Sequence, residues 1–368
     1  MMAAVSLPSI MSGVLLTGHG GVDRLVYRTD LPVPMPGAGH VLVRIGAAAV
    51  NNTDINLRTG WYSKSLSAAT QAPEADVLAA AAADAGWTGT PLDFPRIQGA
   101  DACGEIVAVG AKVDTARLGE RVIVEPVFHN SPAAGDVSAD PVYFGSDCPG
   151  AFAEYVSVPS VNAHGIRCNL TDAELASFPC SYSTAENMLA RTGVGAGETV
   201  LISGASGGVG SAAVQLATRR GACVIAIAGA AKAAEIERLG AARVVHRDAD
   251  IVQALGARSV DVVLDVVGGA RFFGLLQVLR RGGRYAVAGA IAGPVVQLDL
   301  RTVYLNDLRL FGCTIPGPGI FAALVGYIER GEIRPVVARI YPLAAIADAQ
   351  RDFLTKQHVG KIVLVPRM

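Results

Sequence analysis

The chain has 368 residues; 51% are hydrophobic, 17% are charged, 42 are glycines, and the net charge at neutral pH is −1. This composition is typical of a globular α/β enzyme of two domains and excludes a disordered or fibrous protein. The nearly neutral charge gives no electrostatic basis for nucleic acid or an anionic membrane as a principal partner. No basic segment precedes the first apolar residues, and no apolar run is long enough to cross a bilayer, so we expect a cytoplasmic protein.

The first third of the chain predicts a β-rich domain. Residues 13–50 alternate short β-branched runs with Gly/Pro turns. Residues 48–63, AAVNNTDINLRTGWYS, then gather amide, Asp, Thr and Tyr side chains beside apolar residues. An insertion at about 64–92 contains an alanine-rich run, residues 74–86, that predicts one helix. The insertion is either a lining of the site entrance or a surface excursion without function.

Strand patterns return at residues 97–124, and the polar residues 129–150 predict a loop. A helical pattern follows residue 171 and leads into the stretch 199–232, TVLISGASGGVGSAAVQLATRRGACVIAIAGAAK. An apolar run, a glycine-rich turn at 204–210, a helix to about 220 and a second apolar run at 223–228 predict a βαβ unit.

The turn of this unit predicts a dinucleotide site. Gly207 and Gly210 match the second and third glycines of the G-x-G-x-x-G fingerprint, where absent side chains let the backbone approach a pyrophosphate. Ala205 stands in place of the first glycine. The phosphates would bind free N–H groups at the helix N-terminus.

The tip of the second strand indicates which dinucleotide binds. An NAD site carries Asp or Glu there to hold the ribose 2′-hydroxyl, but this chain reads AGAAK at residues 228–232. The missing carboxylate removes repulsion toward a 2′-phosphate, and Lys232 adds attraction. We therefore predict NADP(H). Lys232 is either a direct phosphate contact or a solvated lysine of the next helix.

The rest of the chain continues the strand and helix alternation that builds a parallel, doubly wound sheet. Strand patterns occur at 260–268, 282–290 and 308–314, and a helical pattern occupies 272–281 between the first two. After a predicted helix at about 320–330 the pattern changes, which indicates a return to the first domain.

Six cysteines are widely spaced and never form C-x-x-C, so a zinc ribbon and a disulfide framework are disfavoured. His129, His164, His246 and His358 have no spacing typical of a base or a ligand set. We expect them to be solvated loop or strand-end residues.

The motifs NNTDINLRTGWY, GASGGVGSAAVQLA, LDVVGG, YAVAGA and HVGKIVL resemble those of the medium-chain dehydrogenase/reductase superfamily, in its zinc-free quinone oxidoreductase-like (zeta-crystallin-like) branch. The resemblance covers nearly the whole chain apart from the insertion. It implies an α/β fold with a GroES-like β-rich catalytic domain at 1–180, a Rossmann NADP-binding domain at 181–319, and a return to the catalytic domain at 320–368.

The resemblance also implies the cofactor contacts, in the glycine turn, the strand ends and the domain junction: Thr184, Ser206, Gly207, Gly208, Val209, Gly210, Gly229, Lys232, Val267 and Gly289. Zinc-dependent members carry three protein ligands at positions that are Asn51, Ala100 and Cys180 here. One thiolate cannot form such a site, so no metal is expected. Zinc-dependent alcohol oxidation is therefore disfavoured.

Tyr62 matches the tyrosine that serves as proton donor or oxyanion partner in related enoyl-thioester reductases. The resemblance implies that Tyr62 faces the acceptor while Asn51 orients the nicotinamide or the substrate. Alternatively, Tyr62 lines the cleft as a packing aromatic. Asp54 is expected to be structural, binding local backbone N–H groups.

The sequence therefore predicts a zinc-independent NADPH-dependent oxidoreductase that transfers hydride to a small-molecule quinone or α,β-unsaturated carbonyl. A homodimer is implied by the relatives. The alternatives are an alcohol dehydrogenase-type oxidoreductase and a non-catalytic NADPH-binding protein that acts as a sensor or a crystallin-like protein. The presence of both Asn51 and Tyr62 argues against a pure binder, which needs only the glycine turn.

Overall fold

The computed structural model describes residues 7–70, 83–129 and 141–366. Within these ranges the two chain ends share one β-sheet of seven strands, in the order β16-β17-β3-β4-β5-β9 with β8 paired to β3. The strands of the first half are β1 (Ile10–Leu16), β2 (Leu25–Pro32), β3 (His40–Ala49), β4 (Asp101–Val109), β5 (Arg121–Val124), β6 (Val127–Phe128), β7 (Val142–Tyr143), β8 (Tyr155–Pro159) and β9 (Ala163–Gly165). The C-terminal strands are β16 (Val337–Pro342) and β17 (Lys361–Val365).

The central part of the chain forms a second sheet of six parallel strands in the order β12-β11-β10-β13-β14-β15. Its strands are β10 (Thr199–Ile202), β11 (Cys223–Ala228), β12 (Arg243–His246), β13 (Val260–Asp265), β14 (Leu279–Val287) and β15 (Arg309–Gly312). All six residues of β13 are buried, as expected for a parallel strand covered on both faces. Successive strands are added on one side of β10 as far as β12 and then on its other side from β13 onward. Doubly wound sheets bind ligands at the point where this order reverses, here between β10 and β13.

The described α-helices are α1 (Asn52–Thr59), α2 (Asp172–Leu175), α3 (Pro179–Thr192), α4 (Gly208–Arg219), α5 (Ala233–Arg238), α6 (Ile251–Leu255), α7 (Phe272–Gln277), α8 (Leu300–Tyr304), α9 (Ile320–Glu329) and α10 (Ile346–Thr355). Local sequence fixes several of their ends. Pro179 opens α3, where no backbone donor is needed, and Gly193 closes it with a φ of 63°. Thr171 and Glu174 form a capping box at the start of α2.

Two predicted elements differ from the structure. The helix predicted at 74–86 lies outside the described residues except for 83–86, which form a turn and a bend. The helix predicted at 272–281 ends at Gln277, and β14 already begins at Leu279. Leu279 is buried and pairs with Val260 of β13, so tertiary packing overrides the helical propensity of this segment.

The domain limits predicted from the sequence remain a prediction, although strands β16 and β17 join the sheet of the chain's first half. None of the helices in the described part of the chain combines the length and hydrophobicity needed to cross a lipid bilayer.

Candidate functional site

A cleft of about 450 Å³ lies at the carboxyl ends of β10 and β13 and is lined by residues of both sheets. The twelve predicted site residues all line it: Asn51, Tyr62, Thr184, Ser206, Gly207, Gly208, Val209, Gly210, Gly229, Lys232, Val267 and Gly289. The fold thus brings together residues from six separate sections of the chain. Their individual roles remain predictions.

The glycine turn packs tightly against the start of α4. A Cβ atom on Gly210 would lie 2.2 Å from the carbonyl oxygen of Gly204, and a Cβ on Gly208 would lie 2.4 Å from Ser181 Oγ. Gly204 itself has a φ of 59°, which favours glycine. The N-terminus of α4 therefore opens directly into the cleft, and its free N–H groups suit phosphate binding.

Asp265 holds the neighbouring turn in place. It is fully buried at the end of β13 and accepts hydrogen bonds from the hydroxyls of Ser203 and Tyr285 and from the backbone N–H of Val267 (2.8 Å). Ser203 immediately precedes the glycine turn. One carboxylate thus holds both the loop that follows β10 and the loop that follows β13. These bonds explain how Val267 reaches the wall of the cleft.

Positive side chains gather at the end of the cleft that adjoins β11 and β12. Lys232 Nζ donates to the carbonyl oxygen of Lys356 (2.6 Å) and to Ser206 Oγ (3.3 Å), while Lys356 Nζ donates to Asn52 Oδ1 (3.3 Å). Burial, together with the charge of Lys232, lowers the pKa of Lys356 to about 8. Burial and the charge of Arg247 lower the pKa of Lys232. These cations repel one another, so an anion bound among them would be stabilised.

The acidic side chain that lines this end of the cleft is Asp248, which is 70% exposed and lies 3.8 Å from Arg247 and 3.7 Å from Arg271. Glu235 of α5 also acts on Lys232, and its charge opposes the lowering of the Lys232 pKa. His358 lies beside the cations and packs against Phe353 at 5.5 Å between ring centroids. Burial and the charge of Lys356 lower the pKa of His358 to about 4, so its ring is neutral at physiological pH. Its buried Nδ1 atom has no hydrogen-bond partner among the described residues.

A buried polar cluster lies between the glycine turn and α1. Lys361 Nζ donates to Asp101 Oδ2 (2.7 Å) and to Asn51 Oδ1, and the side chains of Lys361 and Asp101 are 3% and 0% exposed. Asp101 also accepts from Asn51 Nδ2 (2.8 Å) and from the backbone N–H of Cys180 (2.6 Å). Because these bonds satisfy both charges, the ion pair can remain dry.

The second carboxylate of this region is Asp54, which accepts the backbone N–H of Asn51 at 2.7 Å. Burial raises the pKa of Asp54 to about 7, and the charge of Asp101 contributes in the same direction. Burial also raises the pKa of Cys180 to about 12, so this thiol carries its proton at neutral pH. The structural role expected of Asp54 agrees with its bond to the start of α1.

Aromatic side chains form the opposite wall. Tyr62 lies between Trp61 and Trp87, with ring centroids 5.8 and 5.3 Å away, and its hydroxyl donates to Thr53 Oγ1 (3.1 Å). Trp87 stacks on Tyr143 at 4.4 Å with an interplanar angle of 15°. Burial raises the pKa of Tyr62 to about 12, so the phenol keeps its proton.

Comparison with known proteins identifies this arrangement. A family model for the alcohol dehydrogenase GroES-like domain matches residues 37–167, and one for zinc-binding dehydrogenase matches residues 239–364. A crystal structure from Sinorhizobium meliloti 1021, of a protein provisionally described as an alcohol dehydrogenase, is 48% identical with a TM-score of 0.88, and 98% of each chain is covered. The chain belongs to the medium-chain dehydrogenase/reductase superfamily.

Two curated relatives place this dehydrogenase/reductase in the quinone oxidoreductase-like branch. The quinone oxidoreductase of Lama guanicoe is 27% identical over 97% of this chain and 98% of the relative. The NADPH-dependent alkenal/one oxidoreductase of Arabidopsis thaliana is 28% identical over 99% of this chain and 82% of the relative. The protein is an oxidoreductase with a GroES-like domain and a Rossmann-type parallel sheet.

The described residues of this dehydrogenase/reductase contain no group of three or more His, Cys, Asp or Glu side chains arranged to hold a metal ion. At the position of the first zinc ligand, the Asn51 amide is bonded to Asp101 and Lys361. The residues at this point therefore form a complete hydrogen-bonded cluster of their own.

Sequence reasoning missed several residues that line the cleft, namely Trp87, Arg247, Lys356, His358 and Lys361. Arg247 directly follows a strand of the parallel sheet, and that position could have identified it. Lys356, His358 and Lys361 reach the site because the C-terminal segment crosses the glycine turn, where Gly360 N–H donates to the Ser206 carbonyl (2.9 Å). No local pattern predicts that crossing.

Proposed function

We propose that the protein is a zinc-independent NADPH-dependent reductase that transfers hydride to a quinone or an α,β-unsaturated carbonyl. The observation that carries the proposal is that one cleft joins a dinucleotide turn, a cluster of cations and the half-buried Tyr62. The names of the llama and Arabidopsis relatives point to the same reaction class.

The cleft fits the proposed cofactor. The N-terminus of α4 would hold the pyrophosphate, and the open space around Gly229 would accept the adenosine ribose. Lys232, Lys356 and Arg247 would surround a 2′-phosphate, and the strand tip lacks the carboxylate that would repel it. These features favour NADPH over NADH.

NADPH, when bound, supplies the hydride. Reduction of a conjugated carbonyl builds negative charge on the acceptor oxygen, and that charge needs a proton or a hydrogen-bond donor. Tyr62 can provide one because its phenol stays protonated. Its O–H donates to Thr53 Oγ1 (3.1 Å) and would turn to the acceptor oxygen, and the Thr53 hydroxyl could then donate to the phenol oxygen. The alternative role of Tyr62, as a packing aromatic of the wall, predicts that its hydroxyl is dispensable.

The role proposed for Asn51 follows from its contacts. Its amide is held by Asp101 and Lys361. We propose that these three side chains together form the surface against which the nicotinamide or the acceptor is oriented. A direct hydrogen bond from Asn51 to a ligand would have to replace one of these bonds.

The test is NADPH oxidation, with NADH in parallel, against a panel of quinones and α,β-unsaturated carbonyls, for wild type and Tyr62→Phe. We expect turnover with a preference for NADPH. In Tyr62→Phe, enone reduction should fall about 100-fold, while quinone reduction should persist because quinones need less protonation assistance. The exposed Tyr27, changed to Phe, is the matched control. Tight NADPH binding with no acceptor reduced would favour the non-catalytic alternative, and oxidation of simple alcohols would favour an alcohol dehydrogenase.

We also propose a homodimer. Strand β15 is the edge strand of the parallel sheet and exposes Leu310 at 41%. The segment that precedes it in the chain exposes Leu300, Tyr304 and Leu305 at 67%, 63% and 59%. A second copy pairing along this edge would cover these apolar side chains. Analytical ultracentrifugation of wild type and Leu310→Lys tests this, with a monomeric variant expected. The cytoplasmic location stays a prediction.

A further inference from the structure

The ammonium group of Lys361 is linked to all three positions that carry zinc ligands in zinc-dependent members of the superfamily. It donates to Oδ1 of Asn51, the residue at the first position. It also donates to Oδ2 of Asp101 (2.7 Å), which directly follows Ala100, the residue at the second position. The other oxygen of this carboxylate accepts the backbone N–H of Cys180 (2.6 Å), the residue at the third position. One ion pair thus connects the three positions.

The path of the Lys361 side chain leaves its ammonium little freedom to move away. Lys361 is the first residue of β17, and its backbone N–H donates to the Val336 carbonyl (2.8 Å). A Cβ on Gly208 would lie 2.8 Å from Lys361 Cδ, so the aliphatic part of the lysine runs directly over the glycine turn. The side chain is buried along this path. The ammonium could reach water only by leaving Asp101 buried and unpaired, which is costly.

The residues at the three positions do not fit a divalent metal while Lys361 is present. Asn51 supplies an amide, the Ala100 side chain has no donor atom, and Cys180 supplies one thiol. The buried pair of Lys361 and Asp101 is already neutral as a whole. A divalent ion beside the ammonium would bring two further positive charges into this buried place, and like charges repel strongly where water is excluded.

We infer that the Lys361 ammonium takes the place of the zinc of zinc-dependent relatives, as the cation that the side chain at position 51 binds. The ammonium holds the Asn51 amide in one orientation, with its oxygen toward Lys361 and its NH₂ group toward Asp101 (2.8 Å) and the Ala49 carbonyl (3.3 Å). Lys361 is therefore a positioning residue for Asn51. The inference goes beyond the proposed reductase function, because it concerns which cation this place holds.

The central test restores the zinc ligands with and without the ammonium. The variant Asn51→Cys/Ala100→His, which retains Cys180, is compared with the same variant carrying Lys361→Ala. The probe is Co²⁺ alone, and its bond to a thiolate is detected by charge-transfer absorption in the near ultraviolet. We expect the variant that lacks the ammonium to bind Co²⁺ at least about 100-fold more tightly. Arg28→Ala, in an exposed ion pair, is the control in place of Lys361→Ala and should leave the Co²⁺ affinity unchanged.

Two further variants separate the position of the charge from general damage to the fold. Lys361→Arg, in the same Asn51→Cys/Ala100→His background, keeps a cation and should bind Co²⁺ as weakly as the variant that retains Lys361. Asp101→Asn/Lys361→Leu, again in this background, removes both charges and leaves no carboxylate unpaired, so it should fold and bind Co²⁺ tightly. Circular dichroism melts report the folding of each variant.

These measurements need no turnover, so they stay decisive even if no acceptor is reduced and the proposed function fails. Equal Co²⁺ affinity with and without the Lys361 ammonium, in the variants that fold, would overturn the inference. A cobalt–thiolate absorption in the wild-type protein would overturn it as well, because Cys180 would then bind a metal beside an intact Lys361.

Discussion

The cation cluster at the end of the cleft gives a quantitative prediction for Lys232→Met. Two of the three ammonium hydrogens of Lys232 are used, on the Lys356 carbonyl and on Ser206 Oγ, so one remains for a 2′-phosphate. A hydrogen bond between charged groups contributes about 1.5 to 3 kcal/mol, and the partial exposure of Lys232 favours the lower end. That value corresponds to about a tenfold loss of NADPH affinity.

NADH lacks the 2′-phosphate, so its affinity should change less than about threefold in the same variant. Arg247→Met should weaken NADPH binding less than Lys232→Met does, because the Arg247 side chain is 66% exposed and water screens its charge. Arg238, an exposed residue of α5 that does not line the cleft, gives the matched control Arg238→Met.

The assay is titration of NADPH and NADH into each variant, followed by fluorescence, at low and high salt. The difference between wild type and Lys232→Met should shrink as salt rises. An equal loss for both cofactors would mean that Lys232 only supports the turn through its bonds to Ser206 and Lys356. Equal affinity of the wild type for NADPH and NADH would refute the assignment of the cluster.

Further predictions concern pH, the buried cluster and the turn. Since Lys356 carries its charge below a pKa of about 8, NADPH affinity should fall as pH rises through 8, and titration of Lys356→Met should show no such fall. Lys361→Met leaves its carboxylate partner buried and unpaired, so urea unfolding should show a loss of about 3 to 5 kcal/mol, whereas Arg28→Met in an exposed ion pair should change little. Gly210→Ala places a Cβ 2.2 Å from the carbonyl oxygen of Gly204 and should lower both the Tm and the NADPH affinity. Gly229→Ala, which has open space around it, should keep the wild-type Tm. A similar Tm for the two variants would contradict the packing described for Gly210.

Local patterns were sufficient to predict the dinucleotide unit. The β-branched run at Thr199–Ile202, the glycine turn and the amphipathic α4 each follow short-range rules, and the structure places them as predicted. The absence of a carboxylate beyond β11 could be read directly from the sequence. The family, and with it the GroES-like and Rossmann-type folds, was likewise predicted correctly.

The rest of the site depends on contacts between distant segments. Lys361 bonds Asn51 across 310 positions, and Lys356 bonds Asn52 across 304. His358 was expected to be a solvated residue, but the crossing of the C-terminal segment over the turn half-buries it. Trp87 lines the cleft and stacks on Tyr143, which lies 56 positions later in the chain (143 − 87). Such partners are set by tertiary packing, which single-sequence periodicity does not encode.

The most direct test of hydride transfer follows a label. Wild-type protein is mixed anaerobically with benzalacetone and NADPH deuterated at the transferred position, and the product is examined by mass spectrometry and NMR. The proposed function predicts a saturated ketone with one deuterium on its β-carbon. Deuterium on a carbinol carbon would instead show carbonyl reduction of the alcohol dehydrogenase type. If NADPH stays unoxidised with benzalacetone and with every quinone tested, the result would contradict a reductase.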